Sequence, residues 1–84
     1  MAQRVTVYTA PSCTLCRHVL EDLELLAAEY DLEVWPVDIT GDPRLLERYL
    51  LVVPVVEVRG TFLQAPISIR QLRNALAIVA GSTV

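Results

Sequence analysis

Near the N-terminus the chain alternates, with Val5 and Val7 apolar and Arg4, Thr6 and Tyr8 between and after them. A period of two belongs to a strand with one buried face, so a first strand is predicted to end before Ala10-Pro11-Ser12. From about Thr14 to Tyr30 the period changes. Cys16, Val19, Leu20, Leu23, Leu26, Ala27 and Tyr30 recur at spacings of three and four, and Arg17, Glu21, Asp22 and Glu24 lie largely off that stripe. This predicts an amphipathic helix with one buried face. Strand character returns from Glu33 to Ile39 around Val34 and Trp35. Pro36 lacks the N–H a ladder needs, which predicts an edge position for this strand.

Asp42 as N-cap and Pro43 at the first helical position open a short helix, with Leu45, Leu46, Tyr49 and Leu50 along one side. Val55 to Val58 reads as a third strand, Arg59-Gly60 as a tight turn, and Thr61 to Leu63 as a fourth strand. Ser68, followed three residues later by Gln71, has the form of a capping box. It opens a last helix with Leu72, Ala75, Leu76 and Val79 on its apolar face and Gly81 at the C-cap position. The expected order is β-α-β-α-β-β-α. The first strand, crossover helix and second strand form a right-handed parallel unit, and the later hairpin adds antiparallel partners. The fold class is therefore α/β, a four-stranded mixed sheet with helices on both faces. No repeat, linker or charge block divides the chain, and its 84 residues are expected to form a single domain, 1–84.

Composition narrows the function. Hydrophobic residues make up 54% and charged ones 20%, which excludes a disordered tail. The formal net charge is -3 and all seven basic residues are arginine. With no basic run to neutralise phosphates, no nucleic-acid partner is expected. The N-terminus has no apolar stretch of the signal-peptide kind. The most apolar segment, Leu50 to Val56, is broken by Pro54 and falls far short of the roughly 20 residues a membrane span needs. A soluble, cytoplasmic monomer with no membrane partner is the expectation. In that compartment two cysteines spaced Cys-x-x-Cys read as catalytic or metal-binding, because structural disulfides seldom persist there.

Cys13 falls at the start of the first helix, where unpaired N–H groups and the positive end of the dipole favour negative charge. Such settings lower a cysteine pKa to about 3.5–7.5 and so produce the reactive thiolate. Cys16 lies one turn later, in line with Val19, Leu20 and Leu23, so its sulfur is expected to face inward. These positions make Cys13 the exposed nucleophile and Cys16 the resolving thiol. Inert packing is the bland alternative, since cysteine packs like a small hydrophobe. Metal binding is another. Zinc wants four ligands, and the chain offers Cys13, Cys16 and His18, the last about 200° around the helix from Cys16 at roughly 100° per residue. One chain cannot close that site, so no metal is expected, and a cluster shared by two chains stays open. His18 is expected at the solvated surface. Arg17 has two readings: support for the thiolate or an anionic substrate, or a pair with Glu21 one turn on. Leu15 gives the pair an apolar lip. Trp35 and Tyr49 read as packing residues, and the separate glycines form no phosphate loop.

Three segments carry a family resemblance: Val7-Tyr8-Thr9-Ala10-Pro11-Ser12-Cys13-Thr14-Leu15-Cys16, then Asp38-Ile39-Thr40-Gly41-Asp42-Pro43, then Val52-Val53-Pro54-Val55-Val56. Together they resemble the glutaredoxin-like branch of the thioredoxin superfamily over nearly the whole chain. The closest likeness is to small glutaredoxin-like proteins marked by Cys-x-Leu-Cys and Asp-x-x-x-Asp-Pro. The resemblance implies a thiol–disulfide oxidoreductase that reduces protein or mixed disulfides through Cys13 and Cys16. It implies a cis peptide bond before Pro54, with Val53 offering its backbone to a peptide or to glutathione. Ser12, Leu15, Arg17 and Ser68 complete the expected substrate contacts. No cofactor is implied beyond glutathione as co-substrate. The implied partners are a disulfide-containing protein and, as electron donor, a reductase or glutathione.

The sequence also departs from glutathione-using relatives. They carry Pro-Tyr between the cysteines, where this chain has Thr14-Leu15, and a lysine near the first cysteine, where this chain has Ala10-Pro11. Their Gly-Gly and acidic residue after the fourth strand are replaced by Gln64-Ala65-Pro66-Ile67-Ser68. There the Ser68 hydroxyl and the helix N-terminus remain to receive a carboxylate. Two alternatives belong to other classes: a non-catalytic module that binds a protein in the groove beside Pro54, and a dimeric iron–sulfur carrier.

Overall fold

Val5 and Val7 project from one side of the first strand, β1 (Gln3–Thr9), and are fully buried, while Arg4, Thr6 and Tyr8 project from the other. The computed structural model describes the backbone of residues 3–81 and the side chains of residues 3–77. β1 pairs in parallel with β2 (Leu32–Asp38) and antiparallel with β3 (Val55–Val58), which in turn pairs antiparallel with β4 (Thr61–Gln64). The resulting order, β2-β1-β3-β4, makes β2 an edge strand. Pro36 lies in it opposite Val7, where a missing N–H is tolerated. The α/β order read from the sequence is the order observed, with a single 3₁₀ turn at Ile39–Gly41 added between β2 and the next helix.

Helices α1 (Thr14–Leu26) and α3 (Ile69–Gly81) cover one face of the sheet. Val19, Leu23 and Leu26 from α1 and Leu72 and Leu76 from α3 close over Val5, Val7, Val56 and Val58. The short helix α2 (Pro43–Tyr49) covers part of the opposite face, where Ile39, Tyr49 and Val55 are buried and Tyr8, Ala10, Val52 and Val53 pack on them. Its start is as expected: the Asp42 carboxylate accepts the Arg44 N–H at 2.9 Å and Pro43 holds the first position.

Several boundaries differ from the sequence reading. α1 stops at Leu26 rather than Tyr30. Ala28 and Glu29 N–H groups bond three residues back, to Leu25 and Leu26, which tightens the chain into turns before it enters β2. Tyr30 still packs on the core, so the apolar stripe outlasts the helix. Ile39 leaves β2 because Asp38 caps the 3₁₀ turn, its carboxylate accepting the Thr40 N–H and hydroxyl. That bonding also holds the Asp38 carboxyl below its ordinary value. β4 extends one residue further than expected, to Gln64. α3 runs through Gly81, the position after it lies outside the described residues, and so does the Val79 side chain.

Leu50, last of the apolar positions along one side of α2, is exposed, because α2 ends at Tyr49. One packing expectation fails. Trp35 is 46% exposed: no helix covers its end of the sheet, and the Arg4 guanidinium lies over its ring at 4.7 Å. Tyr49 does pack, stacked on Tyr8 with ring centroids 4.7 Å apart.

That stack has a measurable consequence. Burial, then the Glu57 and Tyr49 charges, push the Tyr8 phenol above its ordinary value of 10.0, against a smaller opposing effect of Arg48. A phenol raised on folding stays protonated longer in the folded state. Its contribution is complete below the unfolded value and is lost as pH rises through the folded one. In an ultraviolet phenolate titration one of the three tyrosines should therefore lag, and Tyr8→Phe should remove the lagging step. A lagging step that survives Tyr8→Phe would contradict this assignment.

Candidate redox site

At the end of β1 the chain turns sharply through Pro11 and Ser12. Ser12 adopts φ of 61°, a left-handed conformation uncommon for a residue other than glycine. The turn delivers Cys13 in extended conformation as the N-cap of α1. There the sulfur takes the place of the usual serine or aspartate oxygen: Cys13 Sγ accepts the Cys16 backbone N–H at 3.1 Å. The first turn of α1 contains no acidic residue, so no neighbouring carboxylate in that turn offsets the positive end of the helix dipole. Cys13 and Cys16 are joined as a disulfide with their Cα atoms 5.2 Å apart. Cys13 is half-buried, whereas Cys16 is 3% exposed and faces the core.

Two further segments reach the same end of the sheet. Tyr8 lies opposite Val55, so the antiparallel register carried outward sets Thr9–Ala10 beside Val53–Pro54. Ala10, Val52 and Val53 accordingly share one apolar cluster. Pro54 is buried and the Val53–Pro54 peptide bond is cis. Gln64 lies opposite Val55, so β4 also ends here, and the Ala65 N–H donates to Val52 O at 3.3 Å. A second cis bond, Ala65–Pro66, follows. From this end the chain continues into α3 through Ser68.

The sequence-predicted residues are placed as follows. Cys13 and Cys16 are bonded, and Val53 and Pro54 run beside the segment leading to them. The Val53 N–H already donates to Tyr49 O at 3.0 Å, as does the Val52 N–H. Ser12 and Leu15 are exposed, Leu15 at 52%. Arg17 and His18 point to solvent, and Arg17 forms no ion pair with Glu21 among the described residues. Ser68 closes the capping box: its hydroxyl oxygen accepts the Gln71 N–H at 3.2 Å and the Gln71 amide oxygen accepts the Ser68 N–H at 2.8 Å.

The sequence reading did not single out Leu51, which is 94% exposed in the loop before Pro54. The continuous apolar run Leu50-Leu51-Val52-Val53, with no period, was the signal available. Among the described residues no three histidine, cysteine, aspartate or glutamate side chains come together as a metal ligand set. No helix among them is long and apolar enough to cross a membrane.

Comparisons with known proteins fit this geometry. A family described as glutaredoxin-like domain (DUF836) matches residues 4–77. An X-ray structure of a structural-genomics target protein from X. campestris is 31% identical over 88% of this chain and 96% of its own, with a TM-score of 0.77. A solution structure of a protein from Nitrosomonas europaea is 22% identical, covers 90% of this chain and 93% of its own, and has a TM-score of 0.76. Thioredoxin 1 from Thermosipho africanus shares the fold, with 17% identity, 92% and 98% coverage and a TM-score of 0.62. No curated protein matches the sequence.

Proposed function

From the premise that the chain belongs to the glutaredoxin-like domain family of the thioredoxin superfamily, we propose that it is a thiol–disulfide oxidoreductase. The observation that carries this reading is the Cys13–Cys16 disulfide at the start of α1, with the half-buried sulfur capping the helix and the buried one behind it.

In the reduced protein the Cys13 thiolate attacks one sulfur of a substrate disulfide. The Cys13–substrate bond forms and the substrate S–S bond breaks, releasing the first substrate thiolate. Cys16 then gives up its proton and attacks Cys13 Sγ. The Cys13–Cys16 bond forms, the mixed disulfide breaks, and a second substrate thiolate leaves. Two electrons pass from the dithiol to the substrate. Among the described residues no charged or polar side chain is buried, so the released substrate thiolate is the base at hand for the Cys16 proton. A dithiol reductase, or two molecules of glutathione, returns the two electrons. The helix N-terminus and the Cys16 N–H both favour negative charge on Cys13, which aids its attack and its departure from the mixed disulfide.

A protein disulfide is the substrate that suits the surroundings. Leu15 and Leu51 stand exposed on segments at the disulfide's end of the sheet, where a partner's apolar side chains would lie. With the Val53 N–H committed to Tyr49 O, its carbonyl is the backbone group left for an extended substrate segment. Arg17, exposed one turn after Cys13, is the cation available to an acidic partner.

The test is the Cys16→Ser variant incubated with an oxidised model protein substrate. It should accumulate a mixed disulfide on Cys13, seen as an added mass that dithiothreitol removes. Adduct confined to Cys16 in a Cys13→Ser variant, with none on Cys13, would reverse the assigned roles.

A further inference from the structure

The face of the sheet opposite α1 and α3 is only half covered, because α2 has seven residues and packs over the Tyr8–Val55 end. The open half holds a cleft of about 440 Å³ lined by Gln3, Arg4, Thr6, Glu57 and Arg59, a size within the range of small-molecule sites. Val5 lies opposite Val58 and Thr6 opposite Glu57. Arg59 follows β3 in the turn to β4 and lines the cleft together with Arg4, Thr6 and Glu57. Two like charges lining one cleft repel each other unless a counter-charge lies between them.

The nearby carboxylates do not neutralise this pair. Glu33, beside Arg4 on β2, accepts the Trp35 indole N–H at 2.6 Å, and the Arg4 guanidinium lies over the Trp35 ring. Glu57 has no ion-pair partner among the described residues, and neither does Arg4 or Arg59. Among the described residues the cleft thus presents two guanidinium groups without a carboxylate partner, that of Arg4 over the Trp35 ring, and the Thr6 hydroxyl, with the Glu57 carboxylate likewise without an ion-pair partner. A simple anion would meet the arginines but be repelled by Glu57. A simple cation would meet the reverse.

We propose that this cleft binds a small zwitterion of the α-amino-acid class, its carboxylate between Arg4 and Arg59 and its ammonium toward Glu57. The site lies away from the disulfide end and does not depend on the redox reading.

Titration of the intact protein with L-alanine, followed by Trp35 fluorescence and by the amide signals of Thr6, Glu57 and Arg59, tests it. Acetate and ethylamine at equal ionic strength serve as the single-charge probes. L-alanine should give a saturable response stronger than either. Arg59→Asn removes the guanidinium while leaving an Asn-Gly turn suited to the left-handed φ of 46° at this position. It should weaken L-alanine binding by about tenfold or more, the cost of a charged hydrogen bond. Glu57→Gln should weaken L-alanine binding and strengthen acetate binding, so that the preference for L-alanine over acetate is lost in that variant. The absence of saturation, acetate binding as tightly as L-alanine to the wild type, or unchanged binding in Arg59→Asn would each overturn the proposal.

Discussion

Cys13→Ser should eliminate disulfide turnover while leaving the domain folded. Serine is among the best N-cap residues, so the hydroxyl takes over the bond that Cys13 Sγ accepts from the Cys16 N–H. A hydroxyl cannot attack a disulfide as a thiolate does, and removal of a nucleophile costs on the order of a thousandfold or more in rate. Circular dichroism should show the wild-type spectrum. Cys16 is buried behind position 13 and should not substitute for it. Turnover that persists in Cys13→Ser at a comparable rate would mean that Cys16 reaches substrate directly.

The largest effect on stability is expected at Leu23. Its side chain is fully buried in the cluster that joins α1 to β1, β3 and α3. Leu23→Ala removes that burial and leaves a cavity, which costs about 2–5 kcal/mol. A domain of this length has about 5–10 kcal/mol in total, so the variant should approach the threshold of folding. Urea denaturation of the oxidised protein measures the loss. Leu25→Ala is the control two residues away: Leu25 is 66% exposed, and its replacement should stay within about 0.5 kcal/mol of wild type. Equal losses at the two positions would mean that α1 is not seated by this face. Because the same helix carries both cysteines, loosening it should also blur the contrast between an accessible Cys13 and a buried Cys16.

Legibility in the sequence followed the strength of the local signal. Element order was readable because each element has its own marker: alternation in β1, the Cys16-to-Leu26 stripe in α1, Asp42-Pro43 before α2, and Ser68 with Gln71 before α3. Pro36 located an edge strand by removing one donor. Element ends were less legible. A turn that packs Tyr30 against the core looks periodic whether or not all its hydrogen bonds reach back four residues, and Asp38 ended β2 with side-chain bonds that periodicity does not register.

The redox pair was legible from spacing and from the helix start, both local properties. What depends on tertiary coverage was not. Trp35 reads as a packing residue from its sequence, and only the short reach of α2 shows that it stays exposed. Ala10-Pro11-Ser12 marked the end of β1, but the left-handed backbone at Ser12 had no marker, since serine enters it without a sequence signature as plain as glycine's. The commitment of the Val53 N–H to Tyr49 O depends on where α2 ends relative to Pro54, which no single segment encodes.

The central claim is that Cys13 and Cys16 form a working redox couple. The most direct test equilibrates the protein in glutathione buffers of graded potential and counts free thiols by mass after alkylation. A reversible two-electron transition between about -200 and -270 mV, the span of glutaredoxins and thioredoxin, is the predicted result. Thiols that never pair, or a disulfide that stays closed across the whole series, would contradict the account.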